Sequence, residues 1–195
     1  MNRAPAVMIA AWLMLASAPP AARAQAPPSG LSFGIGGGLS VPVNTAREVF
    51  RNGFNGQAFV RLDLGPMPFA IRADFTYQGF DLRAPRSTPA GTVTGGTGSV
   101  LGGVANAQIY LFSGHVRPYV LAGVGGYVVR TDADGAVVTP RSDTRLGADA
   151  GAGLALTLGV LNVYAEGRAD NVFVDPGLTG DRSFELVPLT VGVVF

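Results

Sequence analysis

An all-β fold is predicted: an eight-stranded, antiparallel, up-and-down barrel that crosses a membrane, preceded by an export segment. Three observations carry this. Apolar and polar residues alternate with period two along eight long segments, which is the strand signature. Within those segments the charges keep to one parity and leave the other apolar. The aromatic residues gather near the segment ends and leave the middles aliphatic.

The chain opens with an address. Arg3 precedes a 13-residue apolar run, Ala6 to Ala18, and Pro19-Pro20 ends it before Ala22-Arg23-Ala24. That is the three-part layout of a signal peptide over residues 1–24. At 1.5 Å per residue the run reaches about 20 Å, short of a bilayer core. Residues 25–30 read as a flexible mature start, and residues 31–195 as the barrel.

The first strand, 31–43, sets Leu31, Phe33, Ile35, Leu39 and Val41 against Ser32, Gly34, Gly36, Gly38 and Ser40. The second, 53–64, sets Phe54, Ala58, Val60 and Leu62 against Asn55, Gln57, Arg61 and Asp63. The third, 69–80, sets Phe69, Ile71, Phe75 and Tyr77 against Arg72, Asp74, Thr76 and Gln78. The fourth, 99–112, sets Leu101, Ala105, Ala107 and Ile109 against Asn106, Gln108 and Tyr110. In the fifth, 117–130, Val120, Ala122, Val124 and Val128 oppose Tyr119, Leu121 and Tyr127, and both sets are apolar. The sixth, 144–158, sets Leu146, Ala148, Ala150 and Leu154 against Arg145, Asp149 and Thr157. The seventh, 160–173, sets Leu161, Val163 and Ala165 against Asn162, Tyr164, Glu166, Arg168 and Asp170. The eighth, 184–195, closes with Val187, Leu189, Val191, Val193 and Phe195 on one face. Strands of this length exceed the globular mode of about 5–6 residues and suffice to cross a bilayer on a tilt.

Tight connections at 65–68, 113–115 and 159 alternate with long ones at 44–52, 81–98, 131–143 and 174–183. Outer-membrane barrels alternate short periplasmic turns with longer extracellular loops in this way. A soluble barrel would reverse the faces, polar outside and apolar inside. The aromatics decide between the two. Phe33, Phe69, Tyr110, Phe112, Tyr119 and Phe195 fall at the short-turn end, and Phe54, Phe75, Tyr77, Phe80, Tyr127, Phe173 and Phe184 at the long-loop end. Two such girdles fit a lipid-facing wall. Phe59 and Tyr164 alone sit mid-strand, both on the polar parity. The inward face therefore carries Arg61, Asp63, Arg72, Asp74, Arg145, Asp149, Glu166, Arg168 and Asp170. Nine charges in a narrow interior must pair, because desolvation costs several kcal/mol per ion. Across the first tight turn, pairing 64 with 69 would oppose Arg61 to Arg72. A two-residue slip would oppose Arg61 to Asp74 and Arg72 to Asp63, and it is the expected register. Arg168 is expected to reach Asp149, with Glu166 and Asp170 as further acceptors.

Composition agrees. All 14 basic residues are arginine, and beyond residue 24 there are 12 of them against 13 acids, a formal charge of −1. No basic surface for nucleic acid is implied. The absence of cysteine removes disulfides, thiolate metal sites and a cysteine nucleophile.

The signal peptide, the eight alternating strands and the final Phe195 resemble the small outer-membrane β-barrel proteins typified by the OmpA transmembrane domain and OmpX. The closing run Leu189-Thr190-Val191-Gly192-Val193-Val194-Phe195 resembles the C-terminal signal read by the barrel-assembly machinery, with Val193 where an aromatic is common. The resemblance implies an outer-membrane location, contact with outer-membrane lipid, and the assembly machinery as a partner through Val191, Val193 and Phe195. No peptidoglycan-binding domain is expected behind the barrel, so a full OmpA-type tether is not implied. Loop 81–98, rich in Pro, Thr, Ser and Gly, carries Arg83 and Arg86 and reads first as a mobile loop, with a surface partner or lipopolysaccharide phosphates on the two arginines as the alternative.

Chemistry is sparse. His115, the single histidine, falls in a short turn, so the general base of an outer-face enzyme is missing. Glu166 with Asp170 is the alternative carboxylate pair, and it reads more simply as part of a salt network. Asp132-Ala133-Asp134-Gly135 is a fragment of a calcium loop without its distal ligands. No catalytic residue, cofactor or metal is expected. The expected role is an envelope structural or surface-interaction barrel with a side-chain-filled lumen. The alternatives are a small-solute pore, an outer-membrane enzyme and a soluble lipocalin-like binder. Phe195→Asp should abolish assembly, since it places a carboxylate on the apolar closing strand; outer-membrane levels of the variant, measured by immunoblot of membrane fractions, should fall to background.

Overall fold

The structure is a computed structural model that describes residues 30–65, 67–83, 86–88, 91–134, 141–173 and 183–195. Residues 1–29 lie outside this set, and with them the expected signal peptide and nearly all of the mature start.

The strands are β1 (Leu31–Val43), β2 (Gly53–Asp63), β3 (Phe69–Asp81), β4 (Arg86–Thr88), β5 (Gly91–Val93), β6 (Gly95–Tyr110), β7 (Val116–Asp134), β8 (Arg141–Leu158), β9 (Leu161–Phe173) and β10 (Ser183–Val194). Eight of them close as β1-β10-β9-β8-β7-β6-β3-β2, every neighbour antiparallel, so the chain winds up and down. The remaining two, β4 and β5, pair with each other as a small hairpin inside the long 81–98 connection. A five-residue helix, α1 (Thr45–Val49), lies in the first long connection. Neither the hairpin nor the helix has a strong period in the sequence.

Each tight turn carries a glycine at positive φ: Gly65 at 71°, Gly114 at 136° and Gly159 at 65°. Other residues rarely adopt that region, so these glycines let the strands reverse within a few residues. At the opposite end β6, β7 and β8 run beyond the bounds that alternation alone suggests. They reach 16, 19 and 18 residues, against 11 to 13 in the other barrel strands. A membrane-crossing strand needs about 9–11, so this side of the wall stands taller at the long-loop end.

The apolar parity faces outward throughout. Ile35, Leu39, Ile71, Phe75, Val124 and Val191 are each more than half exposed, as lipid-facing residues must be once water is replaced by hydrocarbon. The charged parity faces inward. The belts need one correction. Phe33, Phe54, Phe69, Phe75, Tyr77, Phe112, Phe173 and Phe195 are exposed on the outer wall, whereas Phe80, Tyr119 and Tyr127 are buried inside. Tyr110 also turns inward and stacks edge-on against Tyr119 at 5.8 Å. Position near a strand end is not enough to set an aromatic's side. The parity of Asp74 and Gln108 on the same strands places Phe80 and Tyr110 inside. On β7, which bears no charge between Arg117 and Arg130, the neighbouring strands decide.

Small residues make room for these rings. A Cβ at Gly34 would fall within the Phe59 ring, and one at Gly153 within that of Tyr119. The inward glycines are the counter-shape of the inward aromatics rather than empty lumen. Val124, at the middle of β7, tests the outward assignment: Val124→Arg should lower stability by about 2–4 kcal/mol, read from urea titrations of the barrel in lipid vesicles.

Candidate functional site

The interior is filled in layers, and its centre is a charged network. Arg72 on β3 grips Glu166 on β9 in a two-point clasp, with Nη1 donating to Oε2 at 2.7 Å and Nη2 to Oε1 at 3.1 Å. Its Nε donates to Asp74 Oδ1 at 2.9 Å. Arg168 on β9 donates from Nε to Glu166 Oε1 at 2.7 Å, from Nη1 to Asp149 Oδ2 at 2.7 Å and from Nη2 to Asp74 Oδ1 at 2.9 Å. Amides and a phenol complete the acceptors. Gln57 donates to Asp74 and Glu166, Asn106 to Asp74 at 2.8 Å, and Tyr119 to Glu166 at 2.7 Å. The Arg72 guanidinium also lies 3.7 Å from the Phe59 ring centroid, and Phe59 meets Tyr164 edge-on at 5.4 Å. Buried charges persist only when paired and hydrogen-bonded, and bidentate guanidinium–carboxylate pairs are among the strongest such contacts. Strands β2, β3, β6, β7, β8 and β9 all contribute to this one cluster.

The expected slip between β2 and β3 does not occur. Leu64 donates to Phe69 across the turn at 3.0 Å, and Arg61 stands opposite Arg72. Repulsion is avoided because the two guanidiniums leave each other. Arg61 turns toward the short-turn end, pairs with Asp63 at 3.2 Å on its own strand and lies 5.6 Å from the Tyr110 ring. Arg72 turns to the centre and pairs with Asp74, likewise two residues along its strand. With period two, residues i and i+2 share a face, and a narrow lumen lets far strands meet, so directly opposite partners are not required.

Arg168 reaches Asp149 across β8 and β9, as the sequence suggests. Asp170 stands directly opposite Asp149 and accepts from Gln78 Nε2 at 2.7 Å, with Ser40 donating to Gln78 behind it. Arg145 is apart from the centre, near the long-loop rim and 3.5 Å from Asp143. Asp63 is half-exposed at the short-turn mouth. Val191 and Phe195 are exposed on the outer wall, and the backbones of Phe195 and Phe33 exchange hydrogen bonds at 2.7 and 3.0 Å, closing the seam.

Two further layers were not legible in the charge pattern. Toward the long-loop end, Ala46 and Phe50 from α1 and its exit pack with Phe80, Val100, Val104, Tyr127, Val172 and Leu186 as a buried apolar plug. These residues come from five strands around the wall, so the plug fills the mouth. Phe50 is held by a bridge to Leu82, and Arg83 Nε donates to its carbonyl at 3.0 Å. At the other end Tyr110 lies between Arg61 and Arg117, with the Arg117 guanidinium 4.8 Å from its ring. A vestibule of about 570 Å³ opens there between the first and second tight turns.

Residues 8–180 match the family described as outer membrane protein beta-barrel domain. The chain belongs to this family. It is therefore an outer-membrane β-barrel. No curated protein matches it in sequence. Among solved structures it is similar to Neisserial surface protein A, at 14% identity and a TM-score of 0.63, covering 85% of this chain and 96% of that one. It is also similar to Ail, the attachment invasion locus protein of Yersinia pestis, solved alone and with the heparin analogue sucrose octasulfate. The TM-scores are 0.53 and 0.54 at 16% and 15% identity, covering 85% of this chain and 99% of that one. At these identities the likeness is one of fold.

Arg168 touches three carboxylates, so its loss leaves them without their shared cation. Arg168→Met should cost about 3–5 kcal/mol, measured as a fall in the unfolding midpoint of the refolded barrel, whereas Arg145→Met at the rim should change it by less than about 1 kcal/mol.

Proposed function

We propose that this protein is a closed, non-catalytic envelope barrel whose long loops form an extracellular interaction surface. The observation that carries the reading is the filled interior. A plug built on Phe50 closes the long-loop mouth and a paired network fills the centre, while eight strands leave room for little more than side chains. A small-solute pore would need both layers to part.

In this reading residues 1–24 are a signal peptide removed on export, and Val191, Val193 and Phe195 are read by the assembly machinery. The tall β6–β8 wall and the β4–β5 hairpin stand above the membrane outside the cell. The rim there exposes Arg47, Arg51, Arg83 and Arg130. Guanidiniums suit phosphate and sulfate by paired hydrogen bonds, so lipopolysaccharide phosphates are the partner class the rim fits best. The sucrose octasulfate bound to Ail supports anionic recognition on this type of barrel.

Two measurements test the reading. The purified barrel in a planar bilayer should show no stable conductance, and Phe50→Ala, which removes the centre of the plug but leaves the paired network, should also stay closed; openings above leak should need Phe50→Ala combined with loss of Arg72 and Arg168. Replacing Arg47, Arg51 and Arg83 together by glutamine should weaken retention of lipopolysaccharide by at least about tenfold, equivalent to about 1.4 kcal/mol; unchanged retention would remove the rim from the reading.

A further inference from the structure

The buried charges of the central network do not balance. Arg72 and Arg168, two guanidiniums, stand among four buried carboxylates, Asp74, Asp149, Glu166 and Asp170, a formal excess of two negative charges. Arg61 adds nothing, because it is paired with Asp63 away from the centre.

The excess has an address. Asp74 accepts from Arg72, Arg168, Gln57 and Asn106, and Glu166 from Arg72, Arg168, Gln57 and Tyr119. Those two carboxylates and the two arginines close on themselves as a neutral set. Asp149 shares Arg168 through Oδ2 only, and its buried Oδ1 has no hydrogen-bond partner among the described residues. Asp170 receives the Gln78 amide, which carries no charge. These two buried residues are paired in register across β8 and β9.

Their surroundings supply more oxygen. Asn106, Gly123, Asp149 and Asp170 form one cross-strand row over β6, β7, β8 and β9. Gly123 has no side chain to separate its neighbours, and the Asn106 carbonyl oxygen leans over it, where a Cβ would collide. Asn106 is 2% exposed, and its Oδ1 has no partner among the described residues. The Tyr127 hydroxyl, also buried and without a partner among the described residues, belongs to a ring packed over Gly147, two residues from Asp149 on β8. Three buried oxygens in and beside this row, Asn106 Oδ1, Asp149 Oδ1 and the Tyr127 hydroxyl, therefore lack a partner among the described residues, and unsatisfied buried acceptors are costly.

We propose that the lumen binds one hard divalent cation among Asp149, Asp170 and the Asn106 carbonyl, beside Tyr127. Carboxylate and amide oxygens are the donor set that calcium and magnesium take. A single divalent ion cancels the excess of two charges, which several separate contacts to neutral amides do not. The site rests on the charged centre and does not depend on what the loops recognise.

Terbium, a calcium-like ion that emits when excited through a nearby tyrosine, is the probe. The full chain is refolded in detergent from metal-free buffer and titrated. Tyrosine-excited emission should saturate at one ion per barrel and be displaced by calcium. Asp149→Asn and Asp170→Asn should each weaken binding by at least about tenfold, while Asp132→Asn, at the exposed rim, should bind as the parent does. Should both lumen variants fail to fold, Tyr127→Phe decides: sensitised emission should drop while terbium retained on equilibrium dialysis stays at one equivalent. Failure of the folded parent to retain an equivalent of terbium overturns the proposal, and so does equal binding by the parent and Asp170→Asn. In either case protons, not a metal, balance the pair.

Discussion

Glu166 held between Arg72 and Arg168 is the contact on which the interior is organised. Each of its oxygens takes a guanidinium; Arg72 also carries Asp74 of its own strand, and Arg168 carries Asp149 and Asp74 from two other strands. A barrel wall is fixed by backbone hydrogen bonds between neighbours only. The network ties β3 to β9 across the lumen, a distance in the wall order that no ladder spans. In hydrocarbon surroundings there is little hydrophobic gain in moving apolar side chains from the outer face into the interior. The polar interior therefore has to supply a larger share of what makes one arrangement preferable to its neighbours.

The other layers follow from making that centre dry. The apolar plug on the long-loop side and the tyrosine layer on the short-turn side exclude water from the charges, and a lower local dielectric strengthens each pair. The same dryness makes an unpaired group costly. It explains why amides from Gln57 and Asn106 are spent on carboxylates that arginine already reaches, and why Gln78 supplies Asp170. Close packing of rings against glycines does the equivalent steric work: Phe59 over Gly34 and Tyr119 over Gly153 leave the wall no bulk of its own at those points.

Much of this was legible in the sequence because period two, sustained by a lipid outside and charges inside, allows one reading per strand. Gln57, Asp74, Asn106, Glu166 and Arg168 all face where their parity puts them. Three things were not legible. The β2–β3 register is set by the turn at Gly65, and both registers keep every residue on its face, so the hydrophobic pattern could not choose between them. Tyr119 and Tyr127 sit on a strand where both parities are apolar, and only the inward amides of β6 (Asn106, Gln108) and the inward charge of β8 (Asp149) beside them orient it. Ala46 and Phe50 lie in a connection too short for a helical period, and their burial depends on a mouth assembled from five strands far away in the chain.

The seam has a kinetic meaning of its own. Every other neighbouring pair of barrel strands is consecutive in the chain, while β1 meets β10 with Ile35 beside Val193 and Gly34 beside Val194. Such a closure adds little to the equilibrium entropy cost, which grows only with the logarithm of the enclosed length. Its effect falls on rate, because long-range pairings form late. Until it forms, the sheet is an open ribbon with two bare edges. Either edge would accept a strand from a second molecule as readily as from its own. The interval between the last hairpin and the closing pair is therefore when this chain is most exposed to self-association.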